Sequence, residues 1–101
     1  MIEEKIQVLE ATAVRFYSQL DESMFFKWIG EIACFKRAEG RGLTIFISID
    51  VNLVDETAMR ELLAVFHRYE IDMKQLIEIA HPEFSGWFTD PTAYWFVSVF
   101  K

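Results

Sequence analysis

Residues 32–50 read IACFKRAEGRGLTIFISID, and this stretch decides the fold because it has the pattern of a β-hairpin. Two apolar runs, 32–38 and 43–50, flank a turn that contains two glycines. Glycine at the first central position of a two-residue loop is typical of a type II′ turn, so Gly40-Arg41 is predicted as the loop. In that register Cys34 lies on an apolar face, which only Lys36 interrupts, and Phe35 pairs with Phe46 on the opposite face.

Two helices are predicted after this hairpin. The first is expected to be capped by Asp55 and to run to about Tyr69, with a surface pair between Glu56 and Arg60. Its buried side is predicted to consist of Met59, Leu62, Leu63, Phe66 and Tyr69. The second is expected to be capped by Asp72 and to end at His81-Pro82, because the residue before a proline disfavours helix. Its apolar residues are Met73, Leu76, Ile77 and Ala80.

The remaining elements lie at the two ends of the chain. Apolar residues from Ile2 to Leu20 recur at steps of three and four, which predicts an amphipathic helix. These residues are Ile2, Ile6, Leu9, Ala13, Phe16 and Leu20. A shorter helix that carries Phe25, Trp28, Ile29 and Ile32 is expected next, capped by Asp21 or Ser23, with Gly30 near its end. Residues 93–101 are predicted as a last strand, apolar on both faces and therefore covered on both.

These elements predict one α+β domain over residues 1–101. The expected architecture is a small, mostly antiparallel three-stranded sheet packed with about four helices, in the order α-α-β-β-α-α-β. A chain of 101 residues has the commonest domain size and can fold without a metal or a disulfide. The single cysteine fits a reducing compartment, and the acidic start of the sequence shows no secretory signal, so a cytoplasmic location is expected.

The charge of the chain restricts its partners. Sixteen carboxylates outnumber ten Lys and Arg, which gives a formal net charge of −6. Nucleic-acid binders normally present a basic face, so neither nucleic acid nor an anionic membrane is expected as a partner. The longest uncharged apolar run, 93–100, is far shorter than the roughly 20 residues that cross a bilayer. A basic or neutral protein is the expected partner.

No constellation in the sequence indicates catalysis, a metal or another cofactor. Cys34 falls on the apolar side of the predicted hairpin, where a thiolate is disfavoured. His67 and His81 lie on different predicted elements and lack the spacing of a zinc site. The segment from Asp50 to Asp55 begins like a calcium loop, but an aspartate stands where that loop needs glycine. A strand end and a helix cap explain the same two carboxylates, and the chain is therefore predicted not to be an enzyme.

Aromatic residues are concentrated near the C-terminus, where seven of the sixteen in the chain lie between Phe84 and Phe100. Trp and Phe in a loop are typical of binding hot spots, and carboxylates lie nearby in the sequence. The predicted contact residues for a basic partner are accordingly Phe84, Trp87, Phe88, Glu83 and Asp90. The alternative is that the loop folds back and its rings fill the open end of the core. Serine at positions 87 and 88 abolishes binding under the first interpretation and unfolds the domain under the second.

The leading hypothesis is a non-enzymatic protein-interaction module that binds or inhibits another protein, or binds a second copy of itself. The size, acidity and mixed fold resemble the general profile of proteins that neutralise basic toxins, although no motif carries that comparison. The alternative is a small-ligand-binding domain or minor enzyme with a pocket between the helices and the sheet. A thermal-shift screen separates these hypotheses, because a ligand that binds only the folded state raises the melting temperature. Homodimerisation through the last strand or the Phe35–Phe46 face is a third hypothesis.

Overall fold

The computed structural model describes residues 3–101 and confirms an α+β fold with one three-stranded antiparallel sheet. Strand β1 spans Ile6–Thr12, helix α1 Gln19–Gly30, strand β2 Phe35–Arg41, strand β3 Thr44–Asp50 and helix α2 Glu56–Arg68. A short 3-10 helix lies before α2 at Val51–Leu53, and two more lie after it at Lys74–Ile79 and Pro82–Phe84. The chain ends with the short helices α3 at Ser85–Phe88 and α4 at Phe96–Phe100. Within residues 3–101, none of these helices has the length and apolar character needed to cross a bilayer.

The central hairpin forms as predicted, but its loop lies two residues later. Arg41 pairs with Thr44, so the loop is Gly42-Leu43, and Gly42 adopts a φ of 61°. The first central residue of this loop needs a positive φ, which glycine adopts without steric cost. The predicted register was therefore wrong: Ala38 pairs with Ile47, four positions later than the predicted Leu43. An even shift preserves the predicted faces of β3 and of residues 37–41 in β2, and Ile47 and Ile49 lie in the core as expected.

A bulge in β2 overturns the predicted Phe35–Phe46 pair. Phe35 pairs with Ile49 and Arg37 with Ser48, which leaves Lys36 as the extra residue. Lys36 is exposed and its ammonium lies 3.5 Å from the Glu4 carboxylate. Because burying an ammonium is costly, the bulge removes the charge that the regular register would have placed on the apolar face.

The N-terminal helix was the wrong prediction, because residues 6–12 form a strand. β1 pairs antiparallel with β3, which places β3 at the centre of the sheet in the order β1-β3-β2. Leu9 and Ala11 are buried while their neighbours face outward, so the period is two rather than 3.6. Ala13 then takes a φ of 56° and ends the strand. Ile2, where the predicted helix begins, lies outside the described residues.

The predicted C-terminal strand is also wrong. Trp95 and Val99 are buried four residues apart, and Phe96 and Phe100 are half-buried beside them. Two adjacent apolar positions repeated after four residues give one face of a helix, and the same pattern resembles a strand that is apolar on both sides.

At the outer edge of β1, the Gln75 side-chain amide donates to the Glu10 carbonyl at 2.9 Å and accepts from the Glu10 N–H at 2.8 Å. This side chain occupies a place that a further strand would need.

The central helix α2 matches its prediction closely. Asp55 caps it and accepts a hydrogen bond from the Ala58 N–H at 2.8 Å, and Glu56 pairs with Arg60 at 2.8 Å. Its buried residues include Met59, Leu62, Leu63 and Phe66. The helix expected after Asp72 is instead the 3-10 helix Lys74–Ile79, whose Lys74 N–H donates to the Asp72 carboxylate. Helix α1 ends at Gly30 as expected, but its cap is Ser18 rather than Asp21 or Ser23.

Candidate interaction surface

The aromatic residues predicted to contact a partner are largely part of the core. Phe84 and Phe88 are each only 3% exposed, and Trp87 is half-buried against them. The buried Trp95 indole N–H donates to the Phe88 carbonyl at 2.8 Å, which fixes this segment to the last helix. The rings thus fill one end of the core, which supports the alternative of a loop that folds back.

The surface beside these rings is polar. The Arg60 guanidinium lies 4.3 Å from the centre of the Trp87 ring and covers it. Glu83 and Asp90 are exposed. Hydrogen bonds from the Thr92 N–H and hydroxyl lower the pKa of the Asp90 carboxyl. Contact of a partner with these two carboxylates stays a prediction, whereas contact with Phe84 or Phe88 would require the core to open.

The groups that could do chemistry are separated from one another. The Cys34 thiol is fully buried, and burial raises its pKa from 9.0 to about 11. His81 Nε2 lies 3.1 Å from the Val51 carbonyl oxygen, and the His67 ring packs edge-on against Tyr94. In the described part of the chain, no three His, Cys, Asp or Glu side chains are grouped so that they could hold a metal ion.

The carboxylates of the calcium-like segment are used as caps. Asp50 is buried, and its Oδ1 accepts from the Lys5 N–H at 3.2 Å and the Asn52 N–H at 3.0 Å. Asp55 caps α2 as described above. Asp50 therefore accepts from backbone donors at the end of β3, and Asp55 accepts from one at the start of α2. Both are ordinary structural roles for these carboxylates.

The raised pKa of Cys34 predicts a loss of stability in alkaline solution. The thiol stays neutral in the folded state between pH 9 and about 11, while the unfolded thiol ionises above its pKa of 9.0. The contribution of the buried thiol to the free energy of unfolding is complete below pH 9. We expect this contribution to fall by about 2 kcal/mol as the pH rises to 11. Urea denaturation of the wild type and of Cys34→Ala at pH 8, 9.5 and 10.5 measures this. Parallel losses in the two proteins would contradict the assignment.

Helix α1 exposes apolar side chains on its outer face. Of its twelve residues only Phe25 and Ile29 are buried. Leu20 is 77% exposed and Met24 is 53% exposed, and their spacing of four places them on one side of the helix. Tyr17, just before the helix, is 79% exposed. Leu20 and Met24 form an apolar stripe on this side of α1, whereas Tyr17 lies among Arg15, Asp21 and Arg68.

Contacts with α2 hold this helix in place. The Phe25 ring packs edge-on against Tyr69 with 4.9 Å between the ring centres. The Tyr69 hydroxyl donates to the Asp21 carboxylate at 3.0 Å, and that carboxylate also accepts from the Tyr17 N–H at 2.9 Å. The apolar stripe is therefore presented on a fixed helix rather than on a mobile loop.

A groove of about 620 Å³ lies beside the stripe, between α1 and α2. The side chains that line it are Met24, Lys27, Trp28, Glu31, Ile32 and Glu61. The Trp28 indole N–H donates to the Glu61 carboxylate at 2.9 Å and so joins the two walls. We refer to the stripe and the groove together as the α1 surface.

The carboxylates of the groove have no cationic partner. Among residues 3–101 the ion pairs are Lys36–Glu4 and Arg60–Glu56, so no Lys, Arg or His lies within 4.0 Å of the Glu31 or Glu61 carboxylate. Asp21 and Glu22 add negative charge at the first turn of α1. Lys27 is the one cation in the lining of the groove as described. The groove therefore has more carboxylates than cations, whereas Arg15 and Arg68 lie near Asp21 at the start of α1.

Sequence reasoning missed this surface because Leu20 was assigned to a buried stripe of the wrong helix. The available signal was the composition of residues 19–30, in which Leu20, Met24, Phe25, Phe26, Trp28 and Ile29 are apolar. A helix that is apolar on more than one face and lies at the surface has an uncovered side.

The chain matches no protein-family model, no curated protein and no solved structure at a significant level.

Proposed function

We propose that this chain is a non-enzymatic protein-interaction domain that binds another protein through the α1 surface. The observation that carries the proposal is the exposure of Leu20 and Met24 on one side of a fixed helix. Single exposed apolar side chains are normal, but contiguous ones rimmed by polar groups are typical of binding sites. Met is also among the residue types enriched in interfaces.

Most other exposed apolar residues are scattered, although Ile6 and Val8 form a less exposed pair on one face of β1. Leu43 stands in the hairpin loop, Val97 on α4 and Leu53 at the end of a 3-10 helix, each on a separate element. Scattered residues of this kind need no functional explanation. They provide a matched control, because Leu43 and Val97 expose 79% and 68% of their surface.

The dispersed chemical groups favour binding over catalysis. The thiol of Cys34 is kept neutral by burial, and the two histidine rings have separate partners. A nucleophile in an active site normally lies within hydrogen-bond reach of its base. The α1 surface, by contrast, combines an apolar stripe with the charged side chains of the groove, which is the arrangement of an interface core and its edge.

The double variant Leu20→Ser/Met24→Ser is expected to lose its partner without losing stability. Removing the apolar side chains takes away the surface that association would bury, while exposed substitutions change the free energy of unfolding by only about 0.5 kcal/mol. A pull-down from lysate of the native host, washed at low and then high salt, measures retention. Light scattering of both proteins at several concentrations shows whether the partner is a second copy.

The control variant Leu43→Ser/Val97→Ser removes a similar exposed apolar area elsewhere and is expected to retain the partner. Equal retention by wild type and by Leu20→Ser/Met24→Ser would contradict the assignment of the surface. Loss of the partner in both double variants would show that general surface hydrophobicity, rather than this helix, causes capture.

A further inference from the structure

We propose that the partner inserts a basic amphipathic helix into the groove between α1 and α2. This inference rests on the proposed function and specifies what the α1 surface binds. Its occupant is one helix with apolar residues at spacings of three and four and with Lys or Arg on the flanks. Helix-in-groove binding of this kind uses the apolar side chains as anchors and the charges for orientation.

The shape and lining of the groove suit such a helix. The wall that α1 offers runs from Met24 to Glu31 and is about 10 Å long, which matches about two turns of a partner helix. Ile32 lies at the buried base of the groove, with Met24 and the Trp28 ring on its walls. Met side chains adapt to irregular apolar partners, and Trp is frequent among binding hot spots.

The charges select a basic occupant. The Glu31 and Glu61 carboxylates stand on opposite walls of the groove, each without a cation of residues 3–101 within 4.0 Å. A helix lying over the Trp28–Glu61 hydrogen bond can place one Lys or Arg toward each carboxylate. Lys27 is the one described cation in the lining, and Asp21 at the start of α1 lies near Arg15 and Arg68, so the excess of carboxylates is confined to the groove.

The same charges disfavour a second copy of this chain as the occupant. Pairing two α1 surfaces would bring the carboxylates of one copy toward those of the other, and like charges across an interface oppose association. The chain as a whole carries a net charge of −6, which repels a second copy and attracts a basic protein before contact.

Three synthetic peptides titrated against the full chain test the inference. The first has Leu at helical spacing with Lys on the remaining faces, the second has Glu in place of Lys, and the third is a scrambled form of the first. Amide chemical shifts identify the site, and isothermal titration calorimetry measures affinity. We expect the Lys peptide to shift residues of α1 and Glu61 and to bind at least about tenfold more tightly than the other two.

Neutralising the two walls is expected to remove this preference. Glu31→Gln/Glu61→Gln deletes both charges, while the amide oxygen introduced by E61Q can still accept from the Trp28 indole. Affinity for the Lys peptide should fall about tenfold, and the Glu peptide should no longer be disfavoured to the same degree. The control Glu39→Gln/Glu78→Gln neutralises two exposed carboxylates on other elements and should leave the affinity unchanged.

The outcomes separate this inference from the proposed function. If the Lys peptide shifts residues elsewhere, binds no better than its scrambled form, or is insensitive to Glu31→Gln/Glu61→Gln, the basic-helix inference is overturned. If in addition Leu20→Ser/Met24→Ser still loses the cellular partner, the α1 surface remains the binding site for a partner of different chemistry. A dimer that this variant converts to monomer would show that a second copy covers the groove and would overturn the inference.

Discussion

Phe88→Ala is expected to lower the free energy of unfolding by about 3–5 kcal/mol, as is usual when a buried phenylalanine is truncated. The Phe88 ring is 3% exposed and packs against Phe100, with 5.1 Å between the ring centres. Its backbone carbonyl accepts the hydrogen bond from the Trp95 indole. A domain of this size has about 5–15 kcal/mol of total stability, so this single change removes a large part of it.

Urea denaturation followed by circular dichroism measures this loss. Val97→Ala is the control, because Val97 is 68% exposed on the neighbouring helix and its truncation should cost no more than about 0.5 kcal/mol. A stable Phe88→Ala protein that had lost its partner would return Phe88 to the surface contact that the sequence first suggested. The expected loss of stability in Phe88→Ala would instead show that this ring belongs to the core.

The elements that were predicted correctly are those whose signals are local. Asp55 caps α2 and the apolar arc of that helix has an unambiguous period, so no distant part of the chain is needed to recognise it. The hairpin was recognised for the same reason, from its glycines and its alternating strands. Its loop was misplaced because both Gly40 and Gly42 satisfy the same turn rule, and the choice depends on the β-bulge at Lys36.

The elements that were predicted wrongly depend on distant partners. The segment around Leu9 has too few apolar residues to separate a period of two from one of 3.6, and its strand forms by pairing with Ile47 across the sheet. The C-terminal segment has apolar pairs that fit either a two-faced strand or a short helix.

The candidate surface shares this difficulty, because exposure is a property of the folded molecule. Leu20 and Phe88 are equally apolar in the sequence, yet Leu20 is 77% exposed and Phe88 is 3% exposed. The sequence prediction placed its candidate hot spot around Phe88, whose ring is buried, whereas the surface proposed here lies around Leu20. Only the packing of α1 against Tyr69 determines which of its sides remains uncovered.

Ala11→Asp is expected to destabilise the domain by about 3–5 kcal/mol, the usual cost of leaving a charge buried without a partner. Ala11 is fully buried in β1, on the side of the strand that faces the core, and pairs with Ile45. An aspartate there would lose its hydration without gaining a cation. Because burial favours the neutral acid, the folded-state pKa of the introduced carboxyl rises, and the destabilisation should shrink as the pH falls toward 4.

Leu20→Asp is the matched comparison and separates the strand from the helix that the sequence predicted. In that helix Leu20 belonged to the buried stripe and Ala11 did not, so Leu20→Asp would be the damaging change. In the structure Leu20 is exposed in the first turn of α1, where a carboxylate complements the helix dipole, so the free energy of unfolding should change by no more than about 0.5 kcal/mol. Urea denaturation of both variants at pH 7 decides: severe loss for Leu20→Asp with a stable Ala11→Asp would contradict β1, whereas the reverse places residues 6–12 in the sheet.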